Sequence, residues 1–222
     1  MEKALKIIEL IKKGERPEYI FKKCLFLNEE FYIEKKVLIP REETSLLVNY
    51  LKELKEKKLK PEIIIDFGTG TGILAIWAKR IFPFSYVLAV DFLKKACRCA
   101  KINSRKKSAK IKVIRTKSFK IFKKEKIDLI ITNPPYLSEE EYKKYGPFKG
   151  ESKISLFGGK KGYETFLKWL KEGFEVLKNG GIFISEISEF WNKEILLSFK
   201  KYLVEEIKDF FNKNRIWIFK KF

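Results

Sequence analysis

Asp128-Leu-Ile-Ile-Thr-Asn-Pro-Pro-Tyr136 decides the fold of this chain. Leu129, Ile130 and Ile131 form a short apolar run rich in β-branched residues, and two prolines close it. Proline lacks the N–H that a ladder needs, so the pattern predicts a buried strand, Ile127 to Thr132, stopped at its C-terminal end. In an open parallel sheet, ligands bind just beyond the C-terminal ends of strands. Asn133 to Tyr136 therefore fall where chemistry is done. Asn133 offers a side-chain acceptor and an amide donor, Pro134 keeps a carbonyl acceptor, and Tyr136 supplies an aromatic wall with a polar tip. Two acceptors aimed at one point can grip a planar NH2 group. The competing reading is a plain strand-ending turn, because Asn-Pro and Pro-Pro also punctuate loops.

Upstream, Glu62-Ile-Ile-Ile-Asp66 reads as another buried strand, and Phe67-Gly-Thr-Gly-Thr-Gly72 as a glycine-rich turn opening a helix from Ile73 to Ile81. Glycines let backbone turn tightly and approach a ligand closely. The spacing Gly-x-Gly-x-Gly differs from the Gly-x-Gly-x-x-Gly of pyrophosphate binders. Tyr86 to Val90 is the next strand, ending in Asp91, where a carboxylate can accept both hydroxyls of a ribose or cap the helix that follows. A helix from Leu93 to Asn103 and a strand from Ile111 to Arg115 follow. Beyond the opening motif comes an irregular segment from Asn133 to Gly162, a length that in a compact domain is usually functional. Then come a helix (Tyr163 to Leu177), a strand (Ile182 to Ile187), a helix (Trp191 to Lys200) and two closing strands (Leu203 to Ile207, Arg215 to Phe219). The N-terminal 13 residues predict an amphipathic helix ended by Gly14 and Pro17, and alternation from Cys24 to Ile39 predicts a β-hairpin. Strands alternating with helices imply an α/β fold: a mostly parallel sheet with helices on both faces.

Composition narrows the chemistry. The 222 residues suit one sizeable domain, and 45% hydrophobic content is ample for a core. No apolar run approaches the ~20 residues that span a bilayer, and Met1 to Lys6 lack a signal-peptide core, so a cytoplasmic protein without membrane contact is expected. Cys24, Cys97 and Cys99 read as reduced thiols. There is no histidine, which removes imidazole acid–base work and histidine metal sites, and no metal site is expected. The net charge is +20, and Glu125 is the only acid between Lys94 and Lys126. That stretch could face nucleic acid, with RNA or the ribosome as candidate contacts, or an acidic protein, or simply water. Trp77, Trp169 and Trp191 read as core. Arg41 reads either as a residue orienting a loop or ligand or as half of a salt bridge, and Glu186 as a supporting or a solvated acid.

These motifs together resemble a family. In matching order from about Gly14 to the end, the chain is similar to the bacterial protein-(glutamine-N5) methyltransferases of class 1 peptide chain release factors, a branch of the class I S-adenosylmethionine-dependent enzymes. The resemblance rests on Val37-Leu-Ile-Pro-Arg-Glu-Glu-Thr44, the glycine turn, the Asn-Pro-Pro-Tyr motif and Asp209 to Arg215. Its most discriminating piece is Glu151-Ser-Lys-Ile-Ser-Leu-Phe-Gly-Gly-Lys-Lys-Gly162. It implies a Rossmann-like seven-stranded sheet with residues 41–222 as the methyltransferase domain, and residues 1–40 as a reduced substrate-recognition arm. It implies S-adenosylmethionine as cofactor, with Gly68, Thr69, Gly70, Thr71 and Gly72 at its methionine part, Asp91 at the ribose, Ser118 beside adenine and Asn133 touching it. Asn133, Pro134, Pro135 and Tyr136 would bind the target glutamine of a release factor. The chain departs from the family in having one short helix before Gly14, Ser45 after Thr44, Lys117 where an acid is usual, and Ser152 in the loop. An exocyclic amine of adenine or guanine in RNA or DNA is the alternative acceptor, since the same grip suits it.

Overall fold

A computed structural model describes residues 2–146 and 149–222; Met1 of the first expected helix, and Pro147 and Phe148 of the expected irregular segment, lie outside them. The apolar runs form β3 (Ile63–Phe67), β4 (Tyr86–Asp91), β5 (Lys112–Arg115), β6 (Ile127–Thr132), β7 (Leu177–Glu186), β8 (Leu203–Lys208) and β9 (Asn214–Lys220), after a small hairpin β1 (Lys23–Phe26) and β2 (Glu29–Tyr32). The seven later strands make one sheet in the order β5-β4-β3-β6-β7-β9-β8. Its pairs are parallel except those made by β9, which runs against both neighbours. The expected mostly parallel seven-stranded α/β sheet is thus what forms.

Residue alternation divides the core. Ile64, Leu129, Ile131 and Ile184 face one side, under α3 (Ser45–Glu56), α4 (Ile73–Ile81) and α5 (Lys94–Lys106). Ile65, Phe67, Ile130 and Phe183 face the other, under α7 (Glu164–Val176). Successive strand residues point to opposite faces, so strands buried on both sides must be apolar throughout.

The N-terminal arm differs from expectation in detail. α1 (Glu2–Lys12) ends as predicted, but Pro17 also opens a short helix, α2 (Pro17–Phe21). At the first helical position proline gives up only an N–H that would have had no helical partner. The hairpin turns on Leu27 and Asn28, both left-handed, the twist that a two-residue connection favours. Its second strand stops at Tyr32 rather than reaching Ile39. The side chain of Asn103 takes both main-chain groups of Tyr32, accepting from its N–H at 2.6 Å and donating to its carbonyl at 2.8 Å. Ile33, Val37 and Ile39 then bury themselves in the same cluster as Leu47, Leu51 and Ile76 instead of pairing. The arm and the sheet therefore share one apolar core.

Two further expectations are corrected. The segment after Asn133 holds a helix, α6 (Glu139–Tyr145), started by a capping box between Ser138 and Glu141. The helix expected at Trp191–Lys200 is instead a 3-10 stretch, Lys193–Tyr202, broken at Leu197. Cys24, Cys97 and Cys99 are free and buried. No helix among the described residues is long and apolar enough to cross a membrane.

Gly72 shows how tightly the glycine turn is built into this frame. Its φ is +84°, and an added Cβ would lie 2.8 Å from the Ala100 Cα of α5. Both the backbone angle and the neighbouring helix demand the missing side chain. Gly72→Ala should cost about 3 kcal/mol of folding stability, read as a lower urea midpoint at unchanged m-value.

Candidate active site

The strand order reverses between β3 and β6, and the cleft lies at this switch point. Phe67 pairs with Thr132, so the glycine turn after β3 and Asn133 after β6 leave the sheet side by side. A cavity of about 400 Å³ opens there, bordered by Gly68, Gly70, Asp91, Asn133, Pro135 and Trp169. That volume suits a small-molecule ligand.

The turn is held from below. The N–H groups of Gly68 and Thr69 both donate to the Val90 carbonyl, at 2.8 and 2.9 Å. Asp66, fully buried, accepts from the Thr69 hydroxyl at 2.5 Å and the Ala75 N–H at 2.9 Å. Burial pushes its carboxyl up to about 7. Asp91 accepts the Gly70 N–H at 3.0 Å and the Leu93 N–H at 2.8 Å. It thus ties the turn to the entry of α5 while bordering the cavity, but it does not cap that helix, whose N-cap position is Leu93 and carries no side-chain cap. Its carboxyl is raised, chiefly by burial.

Asn133 is the polar centre. Its Nδ2 donates to the Glu186 carboxylate at 2.8 Å and towards the Thr44 hydroxyl at 3.2 Å. Its Oδ1 is buried with no hydrogen-bond partner. A buried acceptor left open costs free energy unless something supplies a donor, so this oxygen is poised for a ligand N–H.

Two segments wall the cleft. Val37 and Leu38 border it, and so do Lys153 to Ser155 and Phe157. Arg41 reaches Glu151 at 2.7 Å, the Lys36 N–H donates to the Gly150 carbonyl at 2.6 Å, and the Tyr19 hydroxyl donates to the Val37 carbonyl at 2.6 Å. Arg41 is thus a partner in a salt bridge that joins the two walls. The glycine loop then lies on the Asn-Pro-Pro-Tyr backbone: Leu137 N–H donates to Leu156, and Gly158 N–H returns to Leu137, at 2.8 and 2.9 Å. A Cβ on Gly158 would meet the Pro135 carbonyl at 2.5 Å, and one on Gly162 the Tyr136 carbonyl at 2.6 Å. Asp209 and Arg215 pair at 2.7 Å, fixing the turn between β8 and β9.

The predicted residues are distributed around this cleft. Gly68, Gly70, Asp91, Asn133 and Pro135 border it. The Thr69 hydroxyl turns to Asp66, the Thr71 carbonyl accepts from Asn103, and Gly72 abuts Ala100. Pro134 is buried, and Tyr136 packs against the second core cluster with its hydroxyl raised by burial. The Ser118 hydroxyl donates to Glu172 at 2.8 Å, while its neighbours Thr116 and Lys117 line the cavity. Sequence reasoning missed Trp169, Val37 and Leu38. Trp169 shares a helix with the buried Phe166 and Leu170, so its pattern signals only core. Gly158→Ala should detach the loop from the strand end. Limited proteolysis within residues 150–162 should quicken, while most of the folding stability is kept.

Two family models match the chain: a methyltransferase small domain over residues 42–145, and a DNA methylase over residues 127–222. The 16S rRNA N2 G1207 methyltransferase of T. thermophilus, solved with AdoMet and guanosine, superposes with a TM-score of 0.64 at 17% identity, covering 90% of this chain and 50% of that one. A ribosomal protein L11 methylase from Lactobacillus delbrueckii gives 0.62 at 18%, covering 86% and 84%. At such identities these likenesses show the fold, that of class I methyltransferases. Sequence relatives are nearer. The release factor glutamine methyltransferase of Dictyoglomus turgidum is 31% identical over 229 residues, covering 91% of this chain and 77% of that protein. That of Enterococcus faecalis is 32% identical over 177 residues, covering 77% and 61%. The chain is thus shorter than these relatives, but the match takes in the glycine turn, the Asn133 strand end and the loop that lies on it, and with that extent and identity the chain belongs to the release factor glutamine methyltransferase family.

Proposed function

We propose that this protein transfers a methyl group from S-adenosylmethionine to the side-chain amide nitrogen of a glutamine, in the Gly-Gly-Gln loop of a class 1 release factor. The observation that carries this reading is the buried, unpartnered Oδ1 of Asn133 beside a nucleoside-sized cavity. The residues present fit the cofactor: Gly68 and Gly70 expose backbone, Asp91 offers a carboxylate for ribose hydroxyls, and Phe92, Thr116 and Lys117 border the place for adenine, with Ser118 behind them.

When bound, S-adenosylmethionine supplies an electrophilic methyl carbon on a sulfonium. The chain's own task is to hold the nucleophile. An amide nitrogen is weak because its lone pair is delocalised. Asn133 Oδ1 and the Pro134 carbonyl would accept its two N–H bonds, fixing its direction and raising its electron density. Orientation of this kind can lower a barrier by several kcal/mol, up to ~7–11 in ideal cases. The same two acceptors stabilise positive charge growing on that nitrogen. Pro135 and Tyr136 would wall the glutamine stem. No strong base is required if the proton leaves after transfer, in keeping with a chain that has no histidine.

The match to a DNA methylase model over residues 127–222 favours a second reading, an exocyclic amine of adenine or guanine. The exposed basic residues of α5 and β5 would suit RNA or the ribosome. The glycine loop against Pro135 and the match to the glutamine enzymes favour the first. On that reading residues 1–40 act as a recognition arm ahead of a 41–222 catalytic domain, and the enzyme works in the cytoplasm. Incubation with labelled methyl donor and either a release factor or ribosomal RNA tests the choice: label on the glutamine supports the proposal, and label on RNA with steeply salt-dependent binding overturns it. Asn133→Ala should lower transfer at least 100-fold, about 2.7 kcal/mol, without unfolding. Asp91→Ala should weaken cofactor binding measured by calorimetry, and unchanged affinity would remove the ribose assignment.

A further inference from the structure

Glu186 is a buried carboxylate with no part in the grip described above. It ends β7, and Ser185 pairs with Thr132, so the sheet register sets Glu186 alongside Asn133. Its residue is 3% exposed. One oxygen, Oε2, receives the Thr44 hydroxyl at 2.9 Å and the Asn133 Nδ2 at 2.8 Å.

We propose that Glu186 is the positioning residue that fixes the side-chain amide of Asn133, holding its nitrogen and leaving its oxygen as the end without a protein partner. The inference rests on the functional reading only in assigning the unpartnered oxygen to a substrate NH2. The two ends of an amide have nearly the same shape, so sterics cannot choose between them. Chemistry can. An ionised carboxylate only accepts, so only the NH2 end of Asn133 can face it. A flipped amide would set oxygen against oxygen and would present a donor to a substrate that also brings donors.

Once Glu186 is protonated, its hydroxyl can donate to the Asn133 oxygen, and the flipped amide becomes tolerable. Burial raises this carboxyl to about 7, with Glu43 adding to the rise and Arg215, Thr44 and Asn133 opposing it. Tyr136 also faces it, with its own hydroxyl raised and so neutral in this range. Below that pH the neutral acid dominates and the orientation is lost; above it the carboxylate holds. Turnover should therefore fall on the acid side with a midpoint near 7.

Three measurements test this. The first is Glu186→Gln, whose neutral amide can face Asn133 with either end. It should lower kcat at pH 8 about tenfold or more, on the scale seen when a partner that orients a functional side chain is removed. The KM for S-adenosylmethionine should stay within about twofold, and the acid limb should vanish. The second is Thr44→Val, which removes a hydrogen bond that stabilises the carboxylate. It should move the acid limb to higher pH. The third is the NMR side-chain amide resonance of Asn133, which should titrate near pH 7 in the wild type and not in Glu186→Gln. A folded Glu186→Gln with wild-type kcat and pH profile overturns the proposal. If that variant does not fold, an unmoved limb in Thr44→Val overturns it. If the wild type methylates no glutamine substrate, the functional reading fails, and the Asn133 resonance alone decides: no titration, no positioning role.

Discussion

The parallel pairing of β3 with β6, Phe67 opposite Thr132, is the constraint on which the site depends. It joins two halves of the sheet that grow in opposite directions and leaves a gap where neither crossover covers the strand ends. Gly68 and Asn133 each lie one residue past that pairing. A one-residue slip would turn Asp66, Thr132 and the residues after them to the opposite face. The apolar strand residues on both faces prevent such a slip, because each alternate side chain belongs to a different core.

The polar groups at this gap are arranged in tiers. Asp91 spends both oxygens on backbone N–H groups, those of Gly70 and Leu93, and Asp66 spends Oδ2 on the Thr69 hydroxyl and the Ala75 N–H. Their raised carboxyl groups mark the cost of burying charge at these places. Asn133 sits a tier above, satisfied on its nitrogen and open on its oxygen. An unfilled acceptor at the edge of a cavity is the expected form of a site whose last donor comes from a ligand.

The walls of the cleft come from segments far apart in the chain. Arg41 meets Glu151, and Glu151 is almost wholly buried. Breaking such a pair from one side leaves an uncompensated charge, so the joint holds the arm segment and the glycine loop as one rim. Small residues at 158 and 162 then let that rim lie directly on the strand end. The rim therefore shapes the cleft by packing on the backbone of Pro135 and Tyr136.

Periodicity and turn chemistry alone determined much of this protein. Strand β6, helix α4 and the glycine turn stand where alternation and proline or glycine punctuation set them, because local sterics fix such features without reference to the rest of the chain. Asn133, Asp91 and Gly68 were legible for the same reason: they follow strands directly. The capping box at Ser138 carried a local signal for α6 that a long loop reading passed over. Tertiary structure decided the rest. Nothing near Tyr32 in sequence announces that Asn103 will end its strand, and nothing near Trp169 says that its ring borders a cavity. Glu186 and Thr44 are 142 residues apart, and Glu186 and Asn133 are 53 apart. Sheet register brings Glu186 to Asn133, the packing of the segment before α3 brings Thr44 to both, and contacts between distant segments leave no periodic trace in a single sequence.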